Sequence, residues 1–398
     1  MIVDQSNMAL NPKPERSRRV ALAHDWLVTY RGGEAVLDAI AKGLAADDLC
    51  VSAVYTMFEN GVALSPALDG QARRVAWINH FPQVMRRWLL PLYPAAVAQL
   101  SRQLSRDHAA RPVDLLISTS SAAVKGMRTP RGVAHVCYCH APARYLWSQA
   151  DQYATGAAGG LRSLGLKMLG PGLRAWDRKS AANVTSFIAN SSHTQREIMR
   201  CYQRESVVIY PPVRTRFFTP TDAVARTGAW LYAGALEPYK RVDVAIAAAN
   251  KVGHPLVVVG EGSQGAYLRS LAGPSVTFVG RVSDDELRRH YRAAALLLFP
   301  QTEDFGIVAA EAQACGTPVV ALRAGGALDV VIEGVTGAFF DEPTQEAVIN
   351  TTKRVPVASA ESIAACRENA ERFSEARFAE QMMAQIESVL SRHDLRKP

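Results

Sequence analysis

The chain has 398 residues, 48% apolar and 21% charged, with a formal charge of +8. That is a soluble globular composition with room for two ordinary domains, and no run reaches the roughly 18 uninterrupted apolar residues of a spanning helix. The six cysteines form no Cys-x-x-Cys pair, so neither a zinc site nor a disulfide framework is expected, and the positive charge favours an anionic partner without choosing among nucleotide sugar, lipid phosphate, acidic membrane and nucleic acid.

No nucleic-acid module and no basic stripe interleaved with aromatics is present. The N-terminus lacks an apolar signal core, so a cytoplasmic location is expected. Residues 1–18 are polar with two prolines and read as a mobile tail. Arg19–Leu27 is the first predicted strand, followed by a loop and a helix over Glu34–Leu44. Gly32 and Gly33 place two residues without Cβ at that helix entrance, where a phosphate or hydroxyl can approach the backbone; a plain tight turn is the alternative.

Arg73–Leu100 mixes Arg73, Arg74, Arg86 and Arg87 with Trp77, Phe81, Trp88 and Tyr93. Two readings stay open: a surface for an anionic membrane, or an amphipathic helix packed on its domain and broken by Pro91 and Pro94. Val113–Ser118 and Ala134–Cys139 are predicted buried strands, and His140 follows the second directly, before a proline loop. Thr155–Gly172, rich in glycine, reads as a mobile loop bordering a cleft. Phe187–Asn190 is a strand, with Thr194 and Glu197 spaced as a capping box. The proline-bearing stretch from Val207 marks a domain boundary near Tyr210.

A second α/β series then begins, with strands over Trp230–Gly234, Leu256–Gly260 and Val276–Val279 and a helix over Val242–Ala249. Lys240 and Arg241 are adjacent cations where a strand gives way to a helix, a cradle for a diphosphate or else a solvated pair. Leu296–Phe299 and Pro318–Leu322 are short buried strands flanking a helix, which puts Glu303 at a strand's carboxyl end, where open α/β sheets bind ligands. Asp304 is predicted to cap that helix. Gly306 admits a ligand to the backbone, and the free N–H groups of Phe305, Gly306, Ile307 and Val308 form an anion or hydroxyl site. Glu311, eight positions after Glu303, is placed to face the same ligand. Glu361–Leu390 is charged, helical and amphipathic.

The Glu303-x7-Glu311 unit, with its small-residue helix and Gly316-Thr-Pro-Val319 strand, closely resembles the signature of GT4 family retaining glycosyltransferases. The segment Tyr138-Cys-His-Ala-Pro-Ala-Arg-Tyr-Leu-Trp147 resembles the corresponding loop of bacterial surface-polysaccharide mannosyltransferases in that family. The resemblance implies an α/β GT-B fold: an acceptor-side Rossmann-like domain over 19–209, a nucleotide-sugar domain over 210–372, and a C-terminal helix and tail over 373–398 crossing back. It implies Glu303 and His140 at the donor sugar, Glu311 at the ribose, and Lys240, Arg241, Gly280 and Arg281 at the nucleotide. Gly32, Gly33, Asp25 and Arg144 would line the cleft.

The implied reaction moves a hexose, with GDP-mannose the preferred donor, to a lipid-linked glycan acceptor, at the inner face of the cytoplasmic membrane if the basic aromatic stretch docks there. No cofactor and no metal is expected, since no Asp-x-Asp occurs. The family's phosphate-binding arginine is replaced by Ala235. Two rival readings follow: a catalytically silent homologue acting as an assembly partner, and a nucleotide-sugar epimerase on the same fold.

Overall fold

Short apolar runs of the kind that bury both faces build two parallel sheets. The structure is a computed structural model describing residues 18–30, 32–148, 161–221, 226–355 and 359–395. The strands are β1 Arg19–Leu27, β2 Cys50–Glu59, β3 Arg73–Val75, β4 Leu115–Ser120, β5 Ala134–Cys139, β6 Ser186–Ala189 and β7 Ser206–Val208, then β8 Trp230–Ala233, β9 Leu256–Val259, β10 Val276–Gly280, β11 Leu296–Phe299, β12 Val319–Leu322 and β13 Gly337–Phe340. The first seven form one sheet in the order β3-β2-β1-β4-β5-β6-β7 and the last six a second in the order β10-β9-β8-β11-β12-β13. The paired strands run parallel, so every carboxyl end in a sheet opens on the same edge. This is the doubly wound pair of Rossmann-like domains expected of the GT-B fold.

Register explains where polar residues fall. In β1, Val20 to Ala23 are fully enclosed and pair with Leu115–Ser118 of β4. His24, Asp25 and Trp26 follow at the carboxyl end. In the second sheet, Leu297 pairs with Val319 and Phe299 with Ala321, and the chain then turns into the loop that carries Glu303.

The predicted C-terminal helix divides into Ala360–Glu371 and Glu375–Asp394. Phe378, Met382, Ile386, Val389 and Leu390 of the second helix sit in one apolar cluster with Val20, Leu22, Leu37 and Ile40 of the first domain, so the chain does return there. At the boundary, Val213 bridges to Ser374, and Tyr210 packs on Phe305 and Phe373, with ring centroids 5.7 and 5.0 Å away.

Three local expectations are corrected. Residues 155–160 of the glycine-rich stretch lie outside the described residues, but Leu161–Ser180 is a helix rather than a loop, with Pro171 inside it. Helix Ser192–Tyr202 is capped by Ser191, whose hydroxyl accepts from Thr194 N–H at 3.0 Å; Thr194 is inside the helix, and Glu197 pairs with Arg200 instead. Arg73–Leu100 is not one broken amphipathic helix. It is β3, three short 3₁₀ segments and the start of helix Tyr93–Ala110, leaving Trp77, Met85, Trp88 and Leu92 exposed.

Candidate active site

Carboxyl ends of β1, β5 and β6 face the loop after β11 across a cavity of about 450 Å³. Its walls include His24, Gly32, Gly33, His140 and Arg144 from the first domain and Lys240, Glu303, Phe305, Gly306 and Ile307 from the second. Nine of the sequence-predicted residues are thus brought together, although they span some two-thirds of the chain.

The Glu303 loop is held by its backbone. Gly306 has φ +103°, and a Cβ there would stand 3.0 Å from the Phe299 ring. Gly326 N–H donates to the Glu303 carbonyl at 2.8 Å, and a Cβ on Gly325 would lie 2.3 Å from that same oxygen. No side chain fits at either place, so the close packing of two loops fixes Glu303. Helix Ile307–Ala314 begins after Gly306, with no side-chain cap. Its N-terminal N–H groups therefore face the cavity, a favourable site for an anion. Asp304 does not cap this helix, contrary to expectation: it forms an ion pair across the cleft with Arg144. Glu303 pairs with Lys240.

His140 lies at the end of β5, its N–H donating to the Ser120 carbonyl at 2.8 Å. Its Nε2 is enclosed without a hydrogen-bond partner. Burial, then the neighbouring His24 and Arg144, depress its pKa to about 3, so the ring is neutral near pH 7, with one nitrogen a donor and the other an acceptor. His24 meets it edge-on, with ring centroids 6.3 Å apart, and its Nδ1 is 2.6 Å from the Thr119 hydroxyl. Burial lowers its pKa also, against the opposing charges of Glu34 and Asp25.

Other predicted residues fall elsewhere. Asp25 is 1% exposed and is a structural anchor, not a cleft group: its carboxylate accepts from the Ser120 hydroxyl and from the N–H groups of Ser121, Ala122, Ala123 and Val124, at 2.7–3.0 Å. With five donors satisfied internally, it has nothing left for a ligand. Arg241 turns to Asp243, 3.1 Å away, from a left-handed backbone position, and does not line the cavity. Gly280 and exposed Arg281 stand at the end of edge strand β10, outside it. Glu311 is also outside, enclosed beside Tyr291, whose hydroxyl donates to Oε2 at 3.2 Å. Burial raises its pKa to about 7 against Arg214 and Tyr291, which pull it down. Ala235 is not a lining residue; its carbonyl accepts from the Tyr232 hydroxyl at 3.0 Å.

The sequence reading passed over His24, Trp26, Glu34, Ser121, Asn190 and Gln301, all of which line the cavity. Five of them, all but Glu34, stand at or just past the carboxyl ends of β1, β4, β6 and β11, and that position is the available signal. Among the described residues, no group of three or more His, Cys, Asp or Glu is placed to hold a metal.

Two facing Rossmann-like domains with a site between their carboxyl edges define the GT-B class of glycosyltransferase. Solved structures of that architecture superimpose along nearly the whole chain: sucrose-phosphate synthase from Thermosynechococcus elongatus (TM-score 0.71, 20% identity, 94% of this chain and 99% of that one) and Anabaena HepE in complex with UDP and glucose (TM-score 0.66, 19% identity, 92% and 99%). At these identities the likeness is one of fold.

The family model for Glycosyltransferase Family 4 matches residues 30–217 and that for Glycosyl transferases group 1 residues 221–373. The chain belongs to the GT4 type of glycosyltransferase. Among curated relatives, the D-inositol 3-phosphate glycosyltransferase of Mycobacterium sp. (strain KMS) is 39% identical over 158 residues, 34% of this chain and 35% of that one. The chain thus aligns with about a third of that relative's length.

Proposed function

We propose that this chain moves a hexose from a nucleoside diphosphate sugar to a hydroxyl of a lipid-linked glycan, with retention of configuration. One observation carries the reading: Lys240, Glu303 and the N-terminus of helix Ile307–Ala314 converge in a cavity closed on its far side by the neutral His140. The diphosphate sits on the helix N–H groups and Lys240, which stabilise the negative charge that develops as it leaves. Glu303 and His140 position the sugar. The C1–phosphate bond breaks, the acceptor oxygen bonds to C1 from the same face, and the acceptor's proton passes to the departing phosphate.

GDP-mannose is the preferred donor, on the resemblance of Tyr138–Trp147 to mannosyltransferases. A membrane-held acceptor is supported by continuity: Trp26 of the cavity wall stacks on Phe58 at 4.4 Å, Phe58 contacts Tyr93, and the stretch just before Tyr93 exposes Trp77, Met85, Trp88 and Leu92, while Arg86 is buried against Phe58. Exposed aromatic and aliphatic groups so arranged suit the interface of a membrane. No described helix is long and apolar enough to cross one.

A titration panel of nucleotide sugars followed by acceptor-dependent release of nucleotide tests this reading. Glu303→Gln should abolish release while retaining nucleotide binding; near wild-type turnover would overturn the assignment. Ala235, with no cation at its position, favours the silent assembly partner as the second reading. Wild type that binds no nucleotide sugar would establish that alternative.

A further inference from the structure

Two amide side chains in the cavity have no partner for their oxygens. Gln301, two residues before Glu303, is 2% exposed, and Asn190, at the end of β6, is 6% exposed. Both line the cavity, and both Gln301 Oε1 and Asn190 Oδ1 are enclosed without a hydrogen bond, as is His140 Nε2. Asn190 cannot turn to hide its oxygen, because Nδ2 donates to the His140 carbonyl at 3.0 Å. Buried amide oxygens are nearly always paired, and leaving one unpaired is costly. Among the described residues no group reaches these atoms, which leaves a molecule in the cavity as their partner.

We propose that Gln301 and Asn190 are specificity residues that accept hydrogen bonds from hydroxyls of the donor's hexose. This inference rests on the nucleotide-sugar reading given above. Both amide oxygens are acceptors, so the complementary group must donate to them, while the neutral His140 ring pairs through Nε2 as donor or acceptor according to its tautomer. Hydroxyls donate; a sugar carboxylate does not. The remaining charges point the same way, because the two lysine or arginine side chains among the described lining residues, Lys240 and Arg144, are already paired with Glu303 and Asp304. A hexuronate carboxylate would meet bare oxygens with no unpaired cation among the described lining residues to receive it. Gln301 shares the loop of Glu303, which ties it to the donor rather than the acceptor.

The test uses the full chain, titrated with UDP, GDP, UDP-glucose, GDP-mannose and the hexuronate counterparts of the last two. Gln301→Met keeps the side-chain length and removes both polar atoms; Asn190→Ala provides an independent variant. For the nucleotide hexose that wild type binds, each variant should lose affinity about fivefold to tenfold, the worth of one neutral hydrogen bond. Affinity for the bare diphosphate should stay within about twofold, and wild type should bind the hexuronate more weakly than the hexose.

Unchanged hexose affinity in both variants, or equal binding of hexuronate and hexose, would overturn the proposal. So would a parallel loss for the bare diphosphate in both variants, which marks a structural role. A rise in acceptor KM at constant donor affinity would transfer the hydroxyl to the acceptor and refute the donor assignment. Wild type that binds none of these nucleotides would instead remove the reading beneath it.

Discussion

Glu311 offers a quantitative test, because its environment is known from all sides. It is 8% exposed and buried against Tyr291, with Arg214 favouring its ionised form and Asp284 opposing it. Its pKa is pushed from 4.5 up to about 7. Below pH 4.5 the carboxyl is protonated in folded and unfolded chains alike. As pH rises, the unfolded chain releases its proton first, so folding stability is lost until the folded group ionises too, near pH 7. The loss is about 3 kcal/mol, from 1.36 kcal/mol per pH unit over the interval. Glu311→Gln removes this dependence. Urea denaturation of both proteins at intervals from pH 4.5 to 8.5 should show the variant gaining on wild type by about 3 kcal/mol across that range. Curves that stay parallel would refute the burial argument and place Glu311 in a solvated setting. Saturating nucleotide should shrink the difference if the ribose donates hydroxyl hydrogen bonds to the carboxylate, as the ribose-binding reading proposes.

Asp25→Ala should destabilise the fold by about 3 kcal/mol or more, since it strands four backbone N–H groups of one turn; a drop below 1 kcal/mol by denaturation would contradict the anchor role. Lys240→Ala should weaken nucleoside diphosphate binding by about 1.5–3 kcal/mol, the worth of a charged hydrogen bond, and calorimetric titration showing no change would remove it from the phosphate site. His140→Ala should lower kcat more than it raises the donor Kd if, as proposed, the ring meets the sugar from the opposite domain. Full turnover in that variant would make His140 a scaffold residue.

The parts of the fold that local pattern specifies were legible: β1, β5 and β11 have the bounds their apolar runs predict, and Glu303 stands at a strand end as its spacing requires. What escaped depends on long-range neighbours. Asp25 looks like a cleft acid until the N–H groups of residues 121–124, almost a hundred positions later, are seen to enclose it. Arg241 looks like a phosphate ligand until its left-handed backbone turns it to Asp243. Helix Leu161–Ser180 looks like a loop in its first half because glycine signals loops locally, whereas Trp176 and Asp177 are held by distant partners: Gly126 lies close under the Trp176 ring, and buried Asp177 pairs with Lys125 and accepts from Trp147 and Tyr202. Tertiary context overrode propensity there.

Those same long-range contacts explain why the cavity is both firm and ready to change. Its walls are fixed from behind by backbone: the Asp25 carboxylate gathers the turn after β4, and Gly325 and Gly326 seat the Glu303 loop. Its charges, by contrast, are matched to one another, Lys240 with Glu303 and Arg144 with Asp304. On the proposed reading, an arriving diphosphate would compete with Glu303 for Lys240, so that binding the anion would also release the carboxylate toward the sugar. The Arg144 and Asp304 pair joins the two domains, and anything that draws Asp304 or Arg144 away loosens the cleft. A rigid frame with exchangeable ion pairs would hold geometry constant while the charge pattern changes, which is what the proposed transfer requires of a site that binds a doubly charged leaving group and then lets it go.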